Sequence, residues 1–317
     1  MNYVYLDWNV IQYMKHATVQ DSINGPEFLE LVNKLSKKYK FPFSEGHLKD
    51  LAISLKPENK DHITADLDYL NALSQGYALG IIEDNESIIP TQQVDIYQFF
   101  EDIVSKIQLE PEINVTGGSY AIGTELLSKK SVFSPLLEEN NGVLDSSVMS
   151  KMLQNLWISM DDHNFYKSFR LQVAELKNKF ENVDTVIDQN SEYFKKIVPF
   201  LEFMTTEDLT NIVSDFEPVL TSFLSIDGRS IKGMTVGKKI EIGYMLLDYH
   251  PKLRDKVNKK NRPSNIARDC KNLFFASQAN YYVTEDKATF KKSEFICKAL
   301  SLKVKVVSMS DFTAKFS

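Results

Sequence analysis

Short apolar segments typical of buried β-strands lie near the two ends of the chain, and a long stretch with helical spacing separates them. The N-terminal segment covers positions 3–6, and the C-terminal segments cover 281–283 and 304–307. Aromatic and β-branched residues dominate all three, and these residue types favour strands. Between about residue 60 and residue 250 the apolar residues recur mainly at helical spacing, with a possible strand at 78–82 as the main exception.

This distribution predicts an α/β fold with a central parallel sheet flanked by helices and interrupted by a large helical insertion. We place the core at residues 1–57 and 255–317 and the mostly helical insertion at 58–254. An insertion of this length is too long to be an unstructured loop, so we expect a helical subdomain beside the core.

Composition is typical of a globular protein, with 43% hydrophobic and 25% charged residues among 317. No run of about eighteen apolar residues and no signal-peptide pattern is present, which predicts a cytoplasmic protein without a membrane segment. Cys270 and Cys297 lack the spacing of zinc ligands, so a structural zinc site is not expected.

Two carboxylates lie just after predicted strands. Asp7 follows the first strand and Asp286 follows the strand at 281–283. The carboxyl ends of parallel strands meet at one edge of a sheet, where α/β folds place their ligands. Each Asp could instead cap the next helix, and that structural role would not exclude a functional one.

Two further carboxylates lie on predicted helices, Asp50 outside a leucine stripe and Asp269 at the border of an apolar stripe. Either could be an ordinary surface charge. Four carboxylates that converge would repel one another and raise one another's pKa values unless cations neutralise them. A ligand set made of oxygen atoms suits Mg²⁺ or Mn²⁺.

The segments around these acids resemble the PIN-domain nuclease superfamily. In that family a first strand runs into an Asp, and a second acid lies on a helix after a Ser. A third acid opens a helix rich in small and apolar residues, and a fourth follows a strand ending in Val-Thr. The matching positions are 7–9, 44–51, 269–276 and 283–286, in the family's order. The resemblance covers about residues 1–55 and 260–317.

The resemblance implies a metal-dependent ribonuclease with a PIN-like core, which cleaves RNA to leave a 5′-phosphate and a 3′-hydroxyl. Asp7, Asp50, Asp269 and Asp286 would hold one or two Mg²⁺ or Mn²⁺ ions, although Glu45 competes with Asp50 for the second position. The auxiliary residues would be Asn9, Glu45, His47, Asn272 and Glu285. A toxin or phage-defence effector would suit this activity. A DNA nuclease and a non-catalytic protein-interaction module are the alternatives.

Positive charge is concentrated between Lys252 and Lys271, a segment with a net charge of +6 that leaves −12 on the rest of the chain. We predict that this segment contacts the RNA backbone; a solvated linker is the alternative. The predicted nucleic-acid-binding residues are Lys256, Lys259, Lys260, Arg262, Arg268 and Lys271. The acidic insertion is expected to shape access to the site or to dock a regulatory or inhibitory protein.

Overall fold

The structure is a computed structural model. It describes residues 1–82, 87–107, 120–121, 139–141, 143–144, 146–171, 192–206, 213–225, 228–259 and 261–317. The chain divides into two units, the first made of residues 1–107, 172–256 and 265–317 and the second of residues 108–171 and 257–264. Within the described ranges, no helix is long and apolar enough to cross a membrane.

The strands are β1 (Val4–Leu6), β2 (Val19–Gln20), β3 (Ile23–Asn24), β4 (Phe43–Ser44), β5 (Ala78–Ile82), β6 (Ser87–Thr91), β7 (Tyr120–Ala121), β8 (Val143–Leu144), β9 (Tyr281–Val283) and β10 (Lys305–Val307). The helices are α1 (Trp8–Lys15), α2 (Gly25–Leu35), α3 (Glu45–Ser54), α4 (Lys60–Ser74), α5 (Ile96–Ile107), α6 (Ser146–Met160), α7 (Glu192–Phe203), α8 (Phe216–Ser225), α9 (Val236–Leu247), α10 (Pro263–Ala276), α11 (Lys287–Ala299) and α12 (Met309–Phe316). Positions 163–171 are also helical.

A parallel three-stranded sheet in the order β1-β9-β10 joins the two ends of the chain. Leu6 lies beside Val283, and Val283 lies beside Val307, so the three strands end at the same edge. The predicted α/β class and the parallel sheet flanked by helices are therefore confirmed. β1 and β9 are buried along their whole length, which explains why their sequences are continuously apolar or aromatic instead of alternating.

A second three-stranded sheet has the order β4-β5-β6. β4 pairs with β5 in parallel, and β5 pairs with β6 in antiparallel. A bridge between Tyr3 and Lys40 places the chain segment that leads into β4 beside β1. The strand predicted at 78–82 is thus confirmed, and it pairs with β4.

The two faces of the β1-β9-β10 sheet differ in chemistry because side chains alternate along each strand. Val4, Leu6, Tyr281 and Val283 join a hydrophobic core that also contains residues of α1, α2 and α12. The opposite face carries Tyr3, Tyr5 and Tyr282, all buried. This second face is the one that contacts α10, since the Tyr3 hydroxyl donates to the Phe275 carbonyl over 2.7 Å.

The units of the structure do not coincide with the predicted core and insertion. Residues 58–107 belong to the first unit because β5 hydrogen-bonds to β4 and α5 packs on α3. Residues 192–206, 213–225 and 228–256 belong to it as well. The second unit contains α6, the two-stranded antiparallel pair β7-β8 and Arg262, which pairs with Asp161.

Candidate functional site

Asp7 lies directly beyond β1 and is 6% exposed. Its Oδ2 accepts a hydrogen bond from the Thr284 hydroxyl over 2.6 Å, and its Oδ1 accepts one from the backbone N–H of Trp8 over 2.8 Å. The Asp7 backbone N–H donates to the Val283 carbonyl, which continues the β1-β9 pairing past the strand end. The sheet therefore fixes this carboxylate at its carboxyl edge, although Asp7 also caps α1.

Three other aspartates interact electrostatically with Asp7, namely Asp50, Asp269 and Asp286. We call these four residues the acidic cluster. Burial raises the pKa of Asp7 to about 6, and the nearby charges of Asp50 and Asp286 add to that effect against the hydrogen bonds from Thr284 and Trp8. Burial followed by the charges of Asp7, Asp286, Asp255 and Asp50 raises the pKa of Asp269 well above its usual range. Residues from four separate segments thus share one electrostatic environment.

Asp50, on α3, forms an ion pair with Arg268 of α10, with 2.7 Å between its Oδ1 and Nε. Burial raises the pKa of Asp50, while Arg268 and a hydrogen bond from Asn272 act in the opposite direction. Arg268 also donates to the Asn265 side-chain oxygen over 2.7 Å. This predicted nucleic-acid-binding residue is therefore held inside the site by one of the predicted metal ligands.

Asp286 is exposed and caps α11, where its Oδ1 accepts from the backbone N–H groups of Ala288 and Thr289. The expectation of a capping role is confirmed. Its neighbour Glu285 accepts from the backbone N–H of Met309 and so holds the start of α12. Asp286 is thus the acid of this pair that interacts with Asp7 and Asp269.

His47, a predicted auxiliary residue, is fully buried and has both ring nitrogens engaged in the fold. Its Nδ1 accepts from the backbone N–H of Ser44, so its Nε2 donates to the Leu6 carbonyl over 2.7 Å. Burial lowers the pKa of His47 to about 4, against the effect of the Leu6 carbonyl. His47 is therefore a neutral link between the start of α3 and the residue before Asp7, with no nitrogen left for a ligand.

The remaining auxiliary residues have different environments. Glu45 pairs with Lys49 at 2.6 Å and with Lys271 at 3.8 Å. Burial works to raise the pKa of Glu45, but the nearby lysines outweigh it and the pKa is lowered. Asp50 is among the charges that raise the pKa values of Asp7 and Asp269, which favours Asp50 as the member of the cluster. Asn9 is exposed near the start of α1.

Asn272 is almost fully buried beneath the cluster, where its side-chain oxygen accepts from the Tyr5 hydroxyl over 2.8 Å. The Tyr5 hydroxyl also bonds to the Ser44 hydroxyl over 2.7 Å. A Cβ on Gly46 would lie 2.1 Å from the Asn272 oxygen, so any larger residue at that position would force the Asn272 side chain to move. The tyrosine and glycine had not been predicted as site residues.

The other predicted nucleic-acid-binding residues are divided between the two units. Lys256 and Lys271 lie in the first unit, and Lys259 and Arg262 in the second. Arg262 pairs with Asp161 at 3.6 Å, and Lys260 falls outside the described residues. Their predicted contact with RNA stays a prediction.

A buried lysine near the cluster had also not been predicted. Lys292, on α11, is 1% exposed and its Nζ lies 2.7 Å from Asp255 Oδ2 and 3.3 Å from Asp248 Oδ1. Asp248 also accepts from the backbone N–H of Asp255 over 2.7 Å. Because Asp255 contributes to the raised pKa of Asp269, this network borders the acidic cluster. Asp255 had been counted only as a charge within the basic segment.

The donor set fits a hard divalent cation in chemistry, since it consists of carboxylate oxygens whose mutual repulsion a cation would relieve. Within the described residues, no three His, Cys, Asp or Glu side chains are grouped as closely as metal ligands are. Binding would therefore require the carboxylates to move towards one another.

The chain was compared with models of protein families, with curated proteins and with solved structures, and none of the three comparisons found a match.

Proposed function

We propose that the protein is a metal-dependent endonuclease with a PIN-like core that hydrolyses RNA phosphodiester bonds. The observation that carries the proposal is the shared electrostatic environment of the acidic cluster, seen in the raised pKa values of Asp7 and Asp269. Acids from the two ends of the chain meet at the carboxyl edge of a parallel sheet, which is where α/β enzymes place their reacting groups.

The arrangement of the strands supports the PIN-like assignment. β10, β9 and β1 lie in that order, and the segment at Lys40 continues from β1 towards β4 and β5. The motifs that carry the resemblance occupy two strand ends and two helices around this edge. RNA is preferred to DNA because of that resemblance alone.

Asp7, Asp269 and Asp286 are the residues that would hold the cation, and the resemblance would add Asp50 as a fourth. When bound, a divalent cation supplies a Lewis acid that makes water a better nucleophile and stabilises negative charge on a phosphodiester. Thr284 holds one oxygen of Asp7 in a fixed orientation, and the N-terminus of α11 holds one oxygen of Asp286.

The test is cleavage of labelled RNA and labelled DNA with Mg²⁺ or Mn²⁺, with and without EDTA. Asp7→Asn and Asp269→Asn should remove cleavage, because each deletes a charge with little change in volume. Asp61→Asn is the matched control, since Asp61 is an exposed residue of α4. Equal cleavage by the wild type and the two cluster variants would refute the proposal and would indicate a contaminating nuclease.

A further inference from the structure

Asp50 differs from the other members of the acidic cluster in its partners. Its carboxylate receives Arg268, with 2.7 Å between Oδ1 and Nε, and a hydrogen bond from Asn272. Across the described residues, no Lys or Arg forms an ion pair with Asp7, Asp269 or Asp286. Asp50 thus has a cationic partner within the described part of the chain, whereas the other three acids form no ion pair there.

We propose that Asp50 is a positioning residue for Arg268, and that Arg268 binds the phosphate of the scissile phosphodiester. This inference rests on the proposed function. It assigns the cation to Asp7, Asp269 and Asp286 and gives Asp50 a different task from the one that the resemblance implies.

The geometry of Arg268 carries the argument. A guanidinium group has five N–H donors in a rigid planar fork. Asp50 accepts from Nε and Asn265 accepts from Nη2 over 2.7 Å, so two sides of the fork are fixed within the protein. The side chains of Arg268 and Asp50 are 18% and 19% exposed, so the pair is largely enclosed by the protein and still reaches solvent. The remaining donors of Nη1 and Nη2 suit the oxygens of a phosphate.

The position of Arg268 in the sequence places it beside the reacting groups. It immediately precedes Asp269 on α10, and its partner Asp50 interacts electrostatically with both Asp7 and Asp269. A cation and an arginine on either side of one phosphate would both stabilise the charge that develops during hydrolysis. Losing an arginine with this role should lower kcat/KM by roughly 100- to 1,000-fold, as removal of one charge-stabilising donor does.

Exposed residues on other helices provide matched controls. Lys298 on α11 is exposed and pairs with Glu294 at 3.0 Å. Lys298→Gln removes the same charge as Arg268→Gln. Asp61→Asn, at an exposed position of α4, removes the same charge as Asp50→Asn.

The experiment combines two measurements on Asp50→Asn, Arg268→Gln and the double variant. The first is the Kd for Mn²⁺ by calorimetry in the absence of RNA, with Asp269→Asn as the positive control. We expect Asp50→Asn to leave Mn²⁺ affinity at or above that of the wild type, because it removes no ligand, and Asp269→Asn to lose binding. Loss of Mn²⁺ binding in Asp50→Asn as severe as in Asp269→Asn would overturn the inference.

The second measurement is kcat/KM for RNA at saturating Mn²⁺. Both single variants should lose activity, and the double variant should be no worse than Arg268→Gln, because Asp50 acts through Arg268. Additive losses, or an Arg268→Gln variant as active as Lys298→Gln, would overturn the inference. A wild-type protein that neither binds Mn²⁺ nor cleaves RNA would instead refute the proposed function, so the two failures are distinguishable.

Discussion

Replacing Lys292 by methionine should destabilise the protein far more than replacing a lysine on the surface of the same helix. Lys292 is 1% exposed and holds two aspartates that are themselves buried, Asp248 and Asp255. Methionine fills a similar volume without a charge. The variant leaves both carboxylates without their cation, and removing one partner of a buried ion pair costs about 3–5 kcal/mol.

Lys298→Met is the matched control because Lys298 pairs with Glu294 at 3.0 Å on the exposed side of α11. A surface pair of this spacing contributes about 0.3–0.5 kcal/mol. Urea unfolding at pH 7, followed by circular dichroism, measures both free energies of unfolding. The triple variant with Lys292→Met, Asp248→Asn and Asp255→Asn should recover most of the loss, because none of the three side chains then carries a charge.

A loss below about 1 kcal/mol for Lys292→Met would refute the reasoning, since it would mean that the lysine is not the counter-charge of the two aspartates. A triple variant less stable than Lys292→Met alone would also contradict it. In that case the aspartates would be stabilised by their other partners instead of by Lys292.

Three further predictions follow from the same contacts. Because burial lowers the pKa of His47 to about 4, only the unfolded chain takes up its proton below the ordinary value of 6.5. The contribution of His47 to the free energy of unfolding should therefore fall by about 3 kcal/mol between pH 6.5 and pH 4, measured as the difference between the wild type and His47→Gln in urea titrations across that range. Burial raises the pKa of Asp7 from 3.8 to about 6, so ionisation of Asp7 destabilises the folded state as the pH rises through this range. Without added metal, Asp7→Asn should raise the free energy of unfolding at pH 7.5 by up to about 3 kcal/mol and leave it unchanged at pH 3.5. Gly46→Ala should lower the free energy of unfolding by about 1–3 kcal/mol, because it displaces Asn272, and should also lower RNA cleavage. Gly80→Ala, whose added Cβ would lie 3.8 Å from its nearest neighbour, should change neither, and equal effects of the two variants in thermal unfolding would contradict the close approach of α3 and α10.

The strands and helices at the two ends of the chain could be predicted because their local patterns agree with their final environment. The strand predicted at positions 281–283 is buried on both faces, and a continuous apolar run is typical of such strands. The limits of the insertion could not be predicted in the same way. β5 belongs with the N-terminal strands because of its pairing with β4, which no local pattern in either segment reveals.

The positions of the four acids could be predicted from strand ends and helix borders, but their partners could not. His47 has the spacing of a residue on the side of α3 that carries Asp50, yet it is buried against Leu6, which is 41 residues away in the sequence. Lys292 follows Asp255 by 37 residues, and nothing in either segment indicates that they form an ion pair. Partners of buried polar groups depend on tertiary packing, which periodicity does not encode.

The most direct test of a cation site formed by Asp7, Asp269 and Asp286 is a crystal structure of the protein with Mn²⁺, with the ion located by its anomalous scattering. The account predicts a peak at the carboxyl edge of the β1-β9-β10 sheet, within coordination distance of all three carboxylates, and a retained contact between Arg268 and Asp50. A structure at saturating Mn²⁺ that has no peak at this edge, or that has a peak only elsewhere on the protein, would contradict the account.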